Sequence, residues 1–104
     1  MIQNTTLHLV CAADELEPGE SRLVELGQPI AVFNIDGTFF AVSDTCTHST
    51  ASLSDGYLEG DEIECPLHGA KFCVRTGAAL CQPATEPLQT FPVLIRNGNV
   101  FIEA

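Results

Sequence analysis

Apolar residues in this chain come in short runs, either continuous or at every second position, and turn-forming residues interrupt them every few positions. Gly or Pro occurs in "EPGE" (17–20), "LGQP" (26–29), "IDGT" (35–38), "LSDG" (53–56), "LEGD" (58–61), "RTGA" (75–78) and "RNGN" (96–99). Asp36-Gly37 lies between "PIAVFNI" and "TFFAVS", which predicts a tight β-hairpin. Asn97-Gly98 between "FPVLI" and "VFIEA" predicts a second, and Thr76-Gly77 between "KFCV" and "AALC" a weaker third. "LHLVCAA" reads as a first strand. No long segment keeps a helical period, and "CAADELEPG" has room for one helical turn at most. The pattern predicts an all-β domain of roughly eight to ten short antiparallel strands, in a sandwich or a barrel.

Length and composition narrow this little further. The 104 residues fit one domain, 1–104, with a modest core. No apolar run reaches the length of a membrane span. The first residues, MIQNTTLHLVCAADELEPGE, lack a basic leader, so the expected location is cytoplasmic. Charge is more informative. Fourteen carboxylates face four Lys and Arg, a formal net charge of −10. Such a chain repels phosphate backbones, which argues against nucleic acid as a partner. It is attracted to a basic protein surface, although the charge would also serve solubility alone.

Five cysteines, Cys11, Cys46, Cys65, Cys73 and Cys81, are an odd number for a disulfide framework, and metal binding is the more natural use. Two of them stand beside histidines: Cys46-Thr47-His48 and, after sixteen intervening residues, Cys65-Pro66-Leu67-His68-Gly69. The first pair follows "TFFAVS"; the second lies between "DEIE" and "KFCV". Loops rising from neighbouring hairpins would bring all four side chains to one tip. Zinc fingers group Cys with Cys and His with His. The order here suits a two-iron cluster better, each loop giving one thiolate to one iron and one imidazole to the other. A structural zinc site and a pair of surface histidines over buried cysteines are the competing readings. A Cys-His nucleophile would need only one such pair.

This spacing, with the Pro and the Gly around the second pair, resembles the Rieske iron–sulfur signature. Over nearly the whole chain, "SDGYLEGDEIECPLHGAKFCVRTGAAL" and the following "QPA" are similar to the small Rieske ferredoxins of bacterial aromatic-ring dioxygenase systems, especially the naphthalene and toluene type. The resemblance implies stacked antiparallel sheets with a small cluster-binding subdomain at about 44–84. It implies one [2Fe–2S] cluster, with Cys46 and Cys65 on one iron and His48 and His68 on the other. Gln82-Pro83-Ala84 resembles the proline loop that covers the cluster from a third side. High-potential respiratory relatives carry a disulfide between the loops and Ser and Tyr hydroxyls near the cluster. The corresponding positions here are Ala51, Leu67, Ala70 and Phe72. Without those groups, and with Asp44, Asp55, Glu59, Asp61, Glu62 and Glu64 nearby, a potential at the low end of the Rieske range is expected, about −150 mV.

The remaining candidates are weaker. Were Thr76 and Gly77 a two-residue turn, positions 72 and 81 would pair, as would 73 and 80. Cys73 and Cys81 would then be diagonal on opposite faces, and both read as small hydrophobes, as does Cys11. His8 reads as a surface strand residue. An oxygenase would need a further iron held by two His and a carboxylate, and after His48 and His68 only His8 is left. No dinucleotide glycine motif is present. The expected function is therefore that of a monomeric, soluble one-electron carrier without a catalytic site of its own. It would pass electrons from an NAD(P)H-dependent flavoprotein reductase to a terminal oxygenase with Rieske and mononuclear iron centres. A small Rieske-type subunit of another complex, such as cytoplasmic nitrite reductase, is the alternative.

Overall fold

A computed structural model describes residues 6–47, 51–67, 69–82 and 86–104. Among these residues there are eleven strands in three antiparallel sheets. The first sheet contains β1 (Leu7–Ala12), β11 (Asn99–Glu103) and β10 (Val93–Arg96), in that order. The second orders β2 (Ser21–Glu25), β3 (Pro29–Ile35), β4 (Thr38–Ser43) and β9 (Thr90–Phe91). The third is a meander of β5 (Tyr57–Glu59), β6 (Glu62–Glu64), β7 (Lys71–Cys73) and β8 (Ala79–Cys81). The all-β expectation is met, and the strand number exceeds it because β9 and the three-residue strands of the third sheet are separate elements. "CAADELEPG" supplies a single 3₁₀ turn, Ala13–Glu15. No helix among the described residues is long and apolar enough to cross a membrane.

Strand β3 explains how the sheets stack. Every residue from Ile30 to Ile35 is buried, so this strand is covered on both faces. Its side chains alternate between two cores. Ile30 and Val32 join Cys11, Leu16, Ala41, Phe91, Val100 and Ile102 against the first sheet. Ala31, Phe33 and Ile35 join Val42, Ile63, Phe72 and Val74 against the third. A strand with period two thus serves both sides of a three-layer stack. Asn34, also buried, ties the layers locally. Its Nδ2 donates to the Leu16 carbonyl at 2.7 Å, and its Oδ1 accepts from the Gly37 N–H at 2.7 Å.

Both Asx-Gly hairpins form as two-residue turns. Ile35 pairs with Thr38 across Asp36 (φ 52°) and Gly37 (φ 93°), and Arg96 with Asn99 across Asn97 (φ 51°) and Gly98 (φ 75°). Two successive left-handed residues are the type I′ geometry that fits the twist of paired strands.

The third hairpin departs from the expectation. Lys71 faces Cys81 and Phe72 faces Ala79, with an irregularity between them that leaves Leu80 as the extra residue. The turn is longer than Thr76-Gly77. The Cys73 N–H donates to the Ala78 carbonyl at 2.9 Å and the Gly77 N–H to the Cys73 carbonyl at 2.7 Å. Gly77 (φ +80°) is buried against the Leu88 carbonyl, 2.4 Å from where a Cβ would sit. The glycine is needed for that close approach, not for a two-residue turn. As a result Cys73 and Cys81 share the outer face of the third sheet, since both are in register with the outward Lys71–Cys73 side of β7. They are not on opposite faces, and no disulfide joins them.

Candidate metal centre

The two Cys/His loops are built on one plan. In the first, the Cys46 N–H donates to the Ala51 carbonyl at 3.1 Å; in the second, the Cys65 N–H donates to the Ala70 carbonyl at 2.7 Å. Each bond joins residues five apart. The residues just outside each closure also pair, Thr45 with Ser52 and Glu64 with Lys71. The two stretches are therefore closed in equivalent ways, between residues 46 and 51 and between residues 65 and 70. Each begins with its cysteine at the point of closure.

Both cysteines are buried, at 2% and 1% exposure, and both belong to the core that contains Leu53, Ala70, Phe72 and Leu88. Ala70 and Phe72 are themselves fully buried, in the same core as the two cysteines. Leu67 is half exposed at 49%. His48 and His68 lie outside the described residues, as do Pro83 and Ala84. Among the described residues no group of three or more His, Cys, Asp or Glu is arranged to hold a metal. The described half of the predicted ligand set is the cysteine pair.

The props of the two loops differ. The second stands on paired strands: Glu62 with Cys73, Ile63 with Phe72 and Glu64 with Lys71. Its outermost pair carries a surface ion pair, Lys71 Nζ to Glu64 Oε1 at 4.0 Å. The first loop lies beyond the end of β4, where the described residues form a single bridge, Thr45–Ser52, in place of a ladder. A buried polar network supports it instead. Asp44, 3% exposed, accepts from the Ser52 hydroxyl and, at 2.8 Å, from the Ser54 N–H. Its carbonyl accepts from the Leu53 N–H at 2.7 Å. The sequence reading named Asp44 only as one of the acids near the loops and did not single out Ser52 and Ser54. Of the six acids named there, Asp44 is internal. Asp61 pairs with Arg75 at 3.1 Å and Glu64 with Lys71, while Asp55, Glu59 and Glu62 are exposed.

The loops are also joined to one another. Gly56 ends the 3₁₀ turn Leu53–Asp55 that follows the first loop, and a Cβ there would be 2.2 Å from the Glu64 carbonyl leading into the second. Both loops are also contacted by residues from further along the chain. Cys81 Sγ donates to the Gly69 carbonyl at 3.6 Å in the second loop. Thr47 Oγ1 of the first loop donates to the Glu86 carbonyl at 2.9 Å, and the Ser43 N–H to Gln89 at 2.8 Å. Cys11 is remote from all of this, in the other core. Burial pushes its thiol above the ordinary value of 9.0, against a smaller downward pull from Arg22 and with a further push from Glu15. Such a thiol is a packing residue, not a nucleophile.

Two buried sulfurs at matched loop closures, in an apolar core, suit a thiolate-ligated cluster whose other ligands come from the same loops. This donor set defines an iron–sulfur class of β-protein. The profile of the Rieske [2Fe-2S] domain matches residues 6–92. The chain is 55% identical over 94 residues to the 3-phenylpropionate/cinnamic acid dioxygenase ferredoxin subunit of Photorhabdus laumondii subsp. laumondii, covering 89% of this chain and 90% of that one. Its fold superposes with a TM-score of 0.92, at 44% identity, on a chain in the complex of reduced oxygenase and oxidised ferredoxin of carbazole 1,9a-dioxygenase, covering 95% and 94% of the two chains. A nitrite reductase small subunit from Mycobacterium tuberculosis superposes at 0.85 with 23% identity, over 98% and 97%, and shares the fold alone. The chain belongs to the Rieske [2Fe-2S] family, and its cofactor is one Rieske [2Fe–2S] cluster.

Proposed function

We propose that this protein is the one-electron carrier of an aromatic-ring dioxygenase system. It takes electrons singly from an NAD(P)H-dependent flavoprotein reductase and delivers them to the Rieske centre of the terminal oxygenase, without a catalytic site of its own. The observation that carries this reading is the pair of equivalent loops, each holding a buried cysteine at its closure. The ferredoxin-subunit relatives point the same way.

Cys46 and Cys65 hold one iron as thiolates, and His48 and His68 hold the other as neutral imidazoles. When bound, the cluster supplies a one-electron couple whose added electron is best tolerated on the imidazole-ligated iron. The chain's own part is to keep water from the sulfurs and to fix the loops. Leu53, Ala70, Phe72 and Leu88 do the first, and the paired closures do the second. The subdomain that performs this spans about 44–84. Ala70 and Phe72 present no O–H to a sulfur, which keeps the potential low. The net charge of −10 speeds encounter with basic partner surfaces, and the exposed Asp55, Glu59 and Glu62 are the acids near the loops best placed to contribute. The carrier acts as a cytoplasmic monomer.

The test is reconstitution with a flavoprotein reductase and the oxygenase component of 3-phenylpropionate/cinnamic acid dioxygenase. NADH-dependent diol formation should require this protein, and the rate should fall as salt rises from low ionic strength. Failure of the pre-reduced protein to reduce the oxygenase Rieske centre would contradict the reading.

A further inference from the structure

One surface hollow stands out from the others in charge. It measures about 460 Å³ and is walled by Phe39 and Phe40 of β4, Phe91 of β9, Val93 of β10 and Arg75, just beyond β7. That size is within the range of small-ligand sites. Arg75 is its single charged wall residue. Four other hollows each have at least one carboxylate in the wall: Glu62, Asp36, Asp14 and Glu103 in turn. The chain has 14 carboxylates against 4 Lys and Arg. A hollow that presents a cation among apolar rings is therefore a local exception, complementary to an anion with an apolar body.

The guanidinium is held in place. Its Nε donates to Asp61 Oδ2 at 3.1 Å, and its central carbon is 5.0 Å from the centroid of the Phe40 ring. The pair with Asp61 is half-exposed, at 45% and 40%, and such pairs hold weakly. Nε is one of five N–H donors on an arginine, and the Nη fork matches a carboxylate in two-point contact. The ring contact limits the freedom that this binding would otherwise cost. Phe39, Phe40 and Phe91 supply aromatic surface for a flat ring. We propose that this hollow binds a small aromatic carboxylate, with its ring among the three phenylalanines and its carboxylate on Arg75. The hollow is beside the start of β4 and beyond the end of β7, the ends of those strands away from residues 46–51 and 65–70. The site is thus separate from the Cys/His loops, and it does not depend on the carrier function.

The probe is benzoate, titrated into the holoprotein and followed through backbone amide shifts by two-dimensional NMR. Saturable one-to-one binding is expected, with a Kd of about 1 mM or tighter and the largest shifts at Phe39, Phe40, Phe91 and Val93. Benzamide keeps the ring and loses the charge, and should bind at least about tenfold more weakly. Cyclohexanecarboxylate keeps the charge and loses the flat ring, and should bind at least about threefold more weakly. Arg75→Gln should weaken benzoate as much as the loss of its charge does. Arg96→Gln, at an exposed cation elsewhere, should leave binding unchanged. Absence of saturation would overturn the proposal, as would equal shifts around Arg22, Lys71 and Arg96, which mark charge attraction without a site. Equal affinity for either analogue would also overturn it, and that comparison on the unmodified protein decides the matter if Arg75→Gln fails to fold.

Discussion

The two Cys/His loops reach the same closure by different means. Both close with an N–H to C=O bond between residues five apart, and both place a cysteine at the closure. The second loop inherits its geometry from a sheet: three pairs of β6 and β7 set its base before the loop begins. The first has one isolated bridge and an internal carboxylate with two serines. A ladder fixes a loop through repeated backbone bonds, each of modest net value. A buried network concentrates the same task in a few groups whose loss leaves a buried carboxyl short of donors. The first loop should therefore be the more sensitive to single side-chain changes, and the second the more tolerant.

The largest expected effect tests the equivalence itself. Cys46→Ser and Cys65→Ser should each abolish cluster binding, seen as loss of visible absorbance and of bound iron. Retention of the cluster in either variant would break the symmetry of the two loops. Next is the contact that couples them. Gly56→Ala drives a Cβ into the Glu64 carbonyl, and backbone must shift. The expected cost is about 1–3 kcal/mol, or a fall in Tm of about 4–8 °C for each kcal/mol in a domain of this size. An unchanged melting curve would show that the loops are not tied at this point.

The props can be compared directly. Ser52→Ala leaves buried Asp44 without one of its donors and should cost about 1–3 kcal/mol in denaturant unfolding. Lys71→Ala removes a half-exposed ion pair worth about 0–1 kcal/mol. The reverse order would contradict the contrast between network and ladder. The smallest effect is on the potential. Ala70→Ser places a hydroxyl within the second loop's closure. An O–H bond to a cluster sulfur of about 1.5 kcal/mol would raise the potential by close to 59 mV. No rise would mean that residue 70 does not reach the cluster.

The sequence made some of this visible and hid the rest for physical reasons. The Asp36-Gly37 and Asn97-Gly98 hairpins were legible because a two-residue turn depends on the residues within it, and both pairs tolerate left-handed φ. Thr76-Gly77 resembles them in isolation. Its glycine answers instead to Leu88, eleven residues away and invisible to a local reading. The candidate site was read from four residues in an unusual order, since ligand chemistry limits what Cys and His at such spacing can do; the described residues bring in its two cysteines, and His48 and His68 lie outside them. The supports of the site were not legible in this way. "SDTCTHSTASLSDG" looks like any polar loop, and only packing against β3 and the third sheet makes Asp44 internal while Asp55 stays outside. The apolar run "PIAVFNI" marked a strand but not which cores its two faces would join, because that depends on the layers above and below.

The central claim is that Cys46, His48, Cys65 and His68 share one [2Fe–2S] cluster with thiolates on one iron and imidazoles on the other. The most direct measurement is the EPR spectrum of the dithionite-reduced protein, with metal analysis of the same sample. The account predicts two irons per chain and a rhombic signal whose mean g lies clearly below that of plant-type ferredoxins. A silent spectrum with zinc in place of iron, or a signal of the all-cysteine type, would contradict it.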